Sequence, residues 1–191
     1  MFKKFLASSI ILFLGLGFFT VAHAHVTLNP DKSEPGSYEK YDVRVPVEKD
    51  AHTNKVELEV PEGVNISTVK PVFGWKHTFD KDEDGNITKI TWSAFDKGIG
   101  VNEFMEFPIV VANPEEEGTF TWKAIQSYDN GEVVEWTDED KDADTPAPTT
   151  EVKKGASDSE GTTGGTTALW VVSIVAILLS LVALFKKPTT K

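Results

Sequence analysis

The sequence predicts an all-β sandwich, and three observations carry that prediction. Short runs in which apolar and polar residues alternate recur along the chain, which is the period of a half-buried strand. Clusters of turn-forming residues separate these runs. Outside the two ends of the chain no window sustains an apolar face with the 3.6-residue period of a helix.

Taken in order, Tyr41, Val43, Val45 and Val47 mark the first alternating run, and Val56, Leu58 and Val60 mark the next, after the polar turn 49–54. Pro61-Glu62-Gly63 closes that run, and Trp75 and His77 read as part of a strand. Ile87, Ile90 and Trp92 form another run, followed by 104–111 and 120–128, with Val133 to Trp136 as the last. Asn113-Pro114 and Asp129-Asn130-Gly131 supply the intervening turns. The folded unit is expected over about 25–136, trailed by a loose acidic segment at 137–144, so the domain is bounded at 25–144.

The ends are organised differently. Lys3 and Lys4 precede an apolar run from Phe5 to Val21, and the small-residue pattern Ala22-His23-Ala24 follows, which reads as a secretory signal peptide over 1–24. Cleavage there leaves His25 as the first residue. Residues 145–167, TPAPTTEVKKGASDSEGTTGGTT, carry too few large apolar side chains to support a core and read as a disordered, flexible stalk. Residues 168–185 contain no charge, and at about 1.5 Å rise per residue they reach roughly 27 Å, enough for one transmembrane helix. Trp170 sits at its outer edge, while Lys186, Lys187 and Lys191 place the tail 186–191 in the cytoplasm and the domain on the extracytoplasmic side.

All 30 acidic residues lie between His25 and Thr167, against 14 of the 19 basic ones (two precede and three follow), a formal charge of −16. Such a field repels nucleic acid and anionic lipid and favours cations. The chain has no cysteine, so disulfides and thiolate metal sites are excluded and any metal must be held by nitrogen and oxygen.

His25 is the most informative residue. A processed N-terminal histidine offers its α-amine and its own Nδ1 in one chelate ring, and an α-amine with a pKa of about 7.7–8.0 gives up its proton easily near neutral pH. Copper(II) binds nitrogen and oxygen donors most tightly among the common divalent ions and accepts a tetragonal arrangement. Zinc or nickel would also satisfy these donors, and a histidine merely exposed by cleavage is the alternative. The run Asp80 to Gly85 imitates the first half of an EF-hand loop, but Thr91 stands where a bidentate glutamate is required, and a hairpin is expected there instead.

The mature start His25-Val26-Thr27-Leu28-Asn29-Pro30 resembles that of the YcnI-like family of exported bacterial domains. Four further stretches resemble the same family in order: Val43 to Glu48, Asn102 to Phe107, Lys123 to Gln126, and Gly131 to Trp136. The resemblance implies a cupredoxin-like or immunoglobulin-like β-sandwich that binds copper(II) through a single-histidine brace, completed by a glutamate and a tryptophan. Carried over, the brace is His25, the glutamate Glu103 and the tryptophan Trp136. Asn102 replaces the family's glycine before Glu103, and Glu106 and Glu48 are the other candidate glutamates. Indole N–H is a donor and not an ordinary ligand, so Trp136 is expected to cap or shield the ion rather than bind it; a core tryptophan is the plainer reading.

The resulting expectation is a membrane-anchored copper chaperone or sensor in copper homeostasis, not an enzyme, which captures copper outside the cell for a membrane copper transporter or another carrier. A copper monooxygenase that recruits His52 or His77 as a second imidazole, and a metal-free adhesive surface domain, are the competing readings.

Overall fold

The computed structural model describes residues 25–156. The expected signal peptide (1–24), transmembrane segment (168–185) and tail (186–191) lie outside the described residues, as does the stalk from residue 157 onward.

Among the described residues twelve strands form three sheets. β1 (Thr27–Asn29), β3 (Tyr38–Pro46), β8 (Phe104–Ala112) and β5 (Asn65–Val69) form one sheet in the order β1-β3-β8-β5. The second sheet, in the order β11-β10-β4-β7-β6, contains β11 (Val133–Trp136), β10 (Lys123–Tyr128), β4 (Thr53–Glu59), β7 (Ile87–Ala94) and β6 (Trp75–Lys81). A small third sheet joins β2 (Lys32–Ser33), β12 (Thr149–Val152) and β9 (Gly118–Thr121). The described residues therefore form an all-β sandwich.

The alternation read from the sequence is the burial pattern. Tyr41, Val43 and Val45 of β3 face inward with Phe107, Ile109 and Val111 of β8, and meet Val56, Leu58, Ile90 and Trp92 from the second sheet. Phe107 is the aromatic hinge of this core, with the rings of Trp75 and Trp92 each 5.0 Å from it. Tight turns fall where expected: Gly131 closes the β10–β11 hairpin and Gly63 the crossing from β4 to β5 in the other sheet, both at positive φ.

Three expectations are corrected. The run 120–128 is not one strand: it breaks at Trp122, a fully buried residue at which the chain passes from the small sheet to the five-stranded one. The trailing segment 137–144 is folded back rather than loose, because the Asp138 carboxylate accepts from Asp140 N, that of Asp140 accepts from Asp142 N, and Ala147 N donates to Asp138 O at 2.7 Å. The first residues of the expected stalk, up to Val152, belong to the domain as β12, which pairs antiparallel with β9 and parallel with β2. A segment so poor in large side chains folds because few are needed: Thr150 and Val152 alternate onto the buried face, and the Thr150 hydroxyl accepts the Trp122 indole N–H at 3.0 Å.

A buried polar cluster fastens this third sheet. The Ser33 hydroxyl lies 2.6 Å from that of Tyr41, Tyr41 donates to Asn113 Oδ1 at 3.2 Å, and Asn113 Nδ2 donates to Ser33 Oγ and Ser37 Oγ. Burial pushes the Tyr41 phenol pKa up, against the lowering effect of its hydroxyl and amide neighbours.

Candidate metal centre

The candidate residues gather around one end of β3. In the β1–β3 pairing Thr27 faces Arg44, so the same register carried two residues back sets His25 beside Pro46. On the other flank of β3, Pro46 faces Phe104, and Val47 N donates to Glu103 O at 2.9 Å. His25 and Glu103 thus straddle one strand, with backbones about two strand spacings, roughly 10 Å, apart.

Trp136 comes from the opposite sheet. β1 and β11 are edge strands of their respective sheets, and the rings of His25 and Trp136 meet across the gap with centroids 5.8 Å apart and planes tilted by 55°. Trp136 is buried, and its indole N–H points inward to Gln126 Oε1 at 3.0 Å. Its donor is therefore committed, and what it presents toward His25 is its ring. His25 also lines a shallow cleft of about 210 Å³ with Asp31, Lys141 and the 146–149 segment, all of which was expected in the stalk.

Glu103 sits in a tight turn. Its amide donates to Gly100 O at 3.1 Å and its Oε2 accepts from Gly100 N at 2.9 Å, so the carboxylate folds over Gly100. Asn102, which replaces the family's glycine, holds φ at 61°, the left-handed conformation that asparagine tolerates better than most residues. The turn therefore survives the substitution.

Glu106 is engaged elsewhere: its Oε1 lies 2.8 Å from Arg44 Nη2, opposite it in the β3–β8 register, and Arg44 also stacks over Phe104 at 5.0 Å. Glu48 follows Val47 at the strand end, where its charge is felt by Tyr128; burial first, then Glu48 and Glu132, raise that phenol's pKa. Of the other histidines, His52 Nδ1 lies 3.4 Å from Asp129. His77 packs on Phe79 in β6, four strand spacings from β11 and so about 19 Å across the sheet.

Among the described residues no cluster of three or more His, Asp or Glu side chains is assembled for a metal. A brace does not need one, since two of its donors come from a single residue. The Asp80 to Gly85 run forms the expected hairpin: the Asp82 carboxylate accepts from Asn86 Nδ2, Asn86 N and Asp84 N, which hold its pKa below the usual range.

Sequence reasoning missed Gln126. Its signal was present, because it is a polar residue at an inward position of an alternating strand, between buried Ala124 and Tyr128.

Comparison with known proteins gives three findings. The profile of a family described as a domain of unknown function (DUF1775) matches residues 25–152, from His25 to the last residue of β12. The copper-binding protein CutI of Bacillus subtilis is 40% identical over 185 residues, covering 89% of this chain and 90% of that protein. A crystal structure of an uncharacterized protein from Nocardia farcinica, described as immunoglobulin-like, superposes with a TM-score of 0.59 at 26% identity, over 67% of this chain and 97% of the other.

Proposed function

The chain belongs to the YcnI-like family, its DUF1775 domain spanning residues 25–152, and from that membership we propose that it is an extracytoplasmic copper(II)-binding protein. The ion is cargo, held by the α-amine and Nδ1 of His25 once processing has freed the amine. Glu103 supplies a carboxylate after swinging from Gly100, and the Trp136 ring covers one face and excludes water. The copper-binding name of the Bacillus relative supports this reading.

The observation that carries it is the meeting of His25 and Trp136. A ring held 5.8 Å away, its only polar atom turned into the core, gives an ion at His25 an aromatic wall that adds no donor of its own. The donor set is nitrogen and oxygen alone, which suits copper(II) in a tetragonal site.

The protein acts as a chaperone or sensor rather than an enzyme, tethered by the 168–185 segment and passing copper to a membrane transporter. Two placements support this reading over a monooxygenase: His52 is turned to Asp129 and His77 lies at the far edge of the second sheet, so neither offers a second imidazole beside His25. The test is to recover the protein from an exporting bacterial host, determine its first residue by mass spectrometry and measure its copper content. One copper per chain beginning at His25 is expected; a chain beginning elsewhere that still binds one copper would refute the brace.

A further inference from the structure

Gln126 is a fully buried amide in the core of the sandwich. An amide buried without partners is strongly disfavoured, so where its bonds run is informative. Its Oε1 accepts from Trp136 Nε1 at 3.0 Å, and its Nε2 donates to Pro46 O at 2.8 Å and Thr53 Oγ1 at 2.6 Å. The orientation is forced: the indole N–H can only donate and the Pro46 carbonyl can only accept, so turning the amide over would break both bonds.

Each partner leads to a different side of the candidate site. Trp136 carries the ring that faces His25. Pro46 ends the strand that His25 and Glu103 straddle. Thr53 exchanges two backbone hydrogen bonds with Ile99, at 3.0 and 2.9 Å, and the next residue, Gly100, holds the Glu103 carboxylate. One amide therefore ties together the aromatic wall, the strand between the two ligating residues and the base of the glutamate turn.

We propose that Gln126 is the positioning residue of the copper site, fixing the Trp136 ring against His25 and setting the spacing from His25 to Glu103 before the metal arrives. This rests on the copper reading of the same site. A polar plug with no such role would stabilise the fold and nothing else.

The test uses mature protein beginning at His25, with Gln126→Met removing all three bonds and Thr53→Val as a milder variant that removes one. Without metal, the Trp136 indole N–H and the His25 ring protons are followed by NMR. With copper(II) alone as probe, affinity is measured by chelator competition and geometry by electron paramagnetic resonance. In Gln126→Met the His25 and Trp136 resonances should shift, copper should bind about tenfold more weakly, and the hyperfine pattern should change; Thr53→Val should move all three in the same direction by less. Ile109→Val, a core change on β8, should lower stability while leaving the resonances and copper affinity unchanged. Variants at Gln126 and Thr53 that melt earlier but keep wild-type resonances, affinity and hyperfine pattern would overturn the proposal. If the wild-type protein ignores copper, the functional reading falls by itself, and the metal-free resonances still decide whether Gln126 holds the His25–Trp136 pair.

Discussion

Replacing Thr150 by valine isolates the part of the fold that composition concealed. Thr150 is 3% exposed and its hydroxyl accepts the indole N–H of Trp122, which is 0% exposed. Valine keeps the shape and removes the acceptor, leaving a buried donor unpaired at a cost of about 1–3 kcal/mol. For a domain of this size that corresponds to a melting temperature lower by roughly 4–12 °C. A residue in a solvated stalk would instead change stability by less than about 0.5 kcal/mol. Urea unfolding followed by tryptophan fluorescence and circular dichroism measures the difference, and a double-mutant cycle assigns it. With Trp122→Phe already in place there is no donor to orphan, so Thr150→Val should then cost less than about 0.5 kcal/mol. A single-variant effect below that figure, or an equal effect in both backgrounds, would refute the assignment of β12 to the core.

Glu103→Gln should weaken copper binding about tenfold or more, whereas Glu106→Gln, whose charge answers Arg44 on a half-exposed surface, should leave it unchanged and cost under about 1 kcal/mol of stability; chelator competition on both variants separates the two glutamates. Gly98→Ala should destabilise by about 2–4 kcal/mol in thermal melts, because φ is +83° there and a Cβ would strike the Thr53 carbonyl oxygen. Tyr41 and Tyr128 have phenol pKa values raised by burial, so the unfolded chain ionises first as pH rises past 10.0: the stability they contribute is intact below that pH and is lost as pH climbs through their folded values. Melting temperature should therefore fall steeply above pH 10, and less steeply in Tyr41→Phe.

The sandwich was legible because the period-two alternation that brings Tyr41, Val43 and Val45 inward is written directly in the residue order. What stayed hidden depended on long-range partners. β1 and β2 are three and two residues long, too short for a period to register. β12 is drawn into the domain by Trp122 and by two flanking strands, none of which its own short Thr-Thr-Glu-Val run announces. At the candidate site, His25 was legible through its place after a cleavage pattern, and Glu103 and Trp136 through family resemblance. Their arrangement was not, since only the register of β1 and β8 on β3 shows that His25 and Glu103 flank one strand end. Alternation alone does not distinguish Glu106 from Glu103; in the structure Glu106 pairs with Arg44, opposite it in the register, while the Glu103 carboxylate folds over Gly100.

The most direct test of the copper reading compares two proteins that differ by one residue: mature protein beginning at His25, and the same protein with a single alanine ahead of it. The added residue turns the His25 amine into a peptide nitrogen and leaves the sandwich, Glu103 and Trp136 in place. Calorimetric titration with copper(II) should show one tight site in the first and a loss of at least a hundredfold in affinity in the second, about 2.7 kcal/mol. Equal affinity in the two would contradict the account.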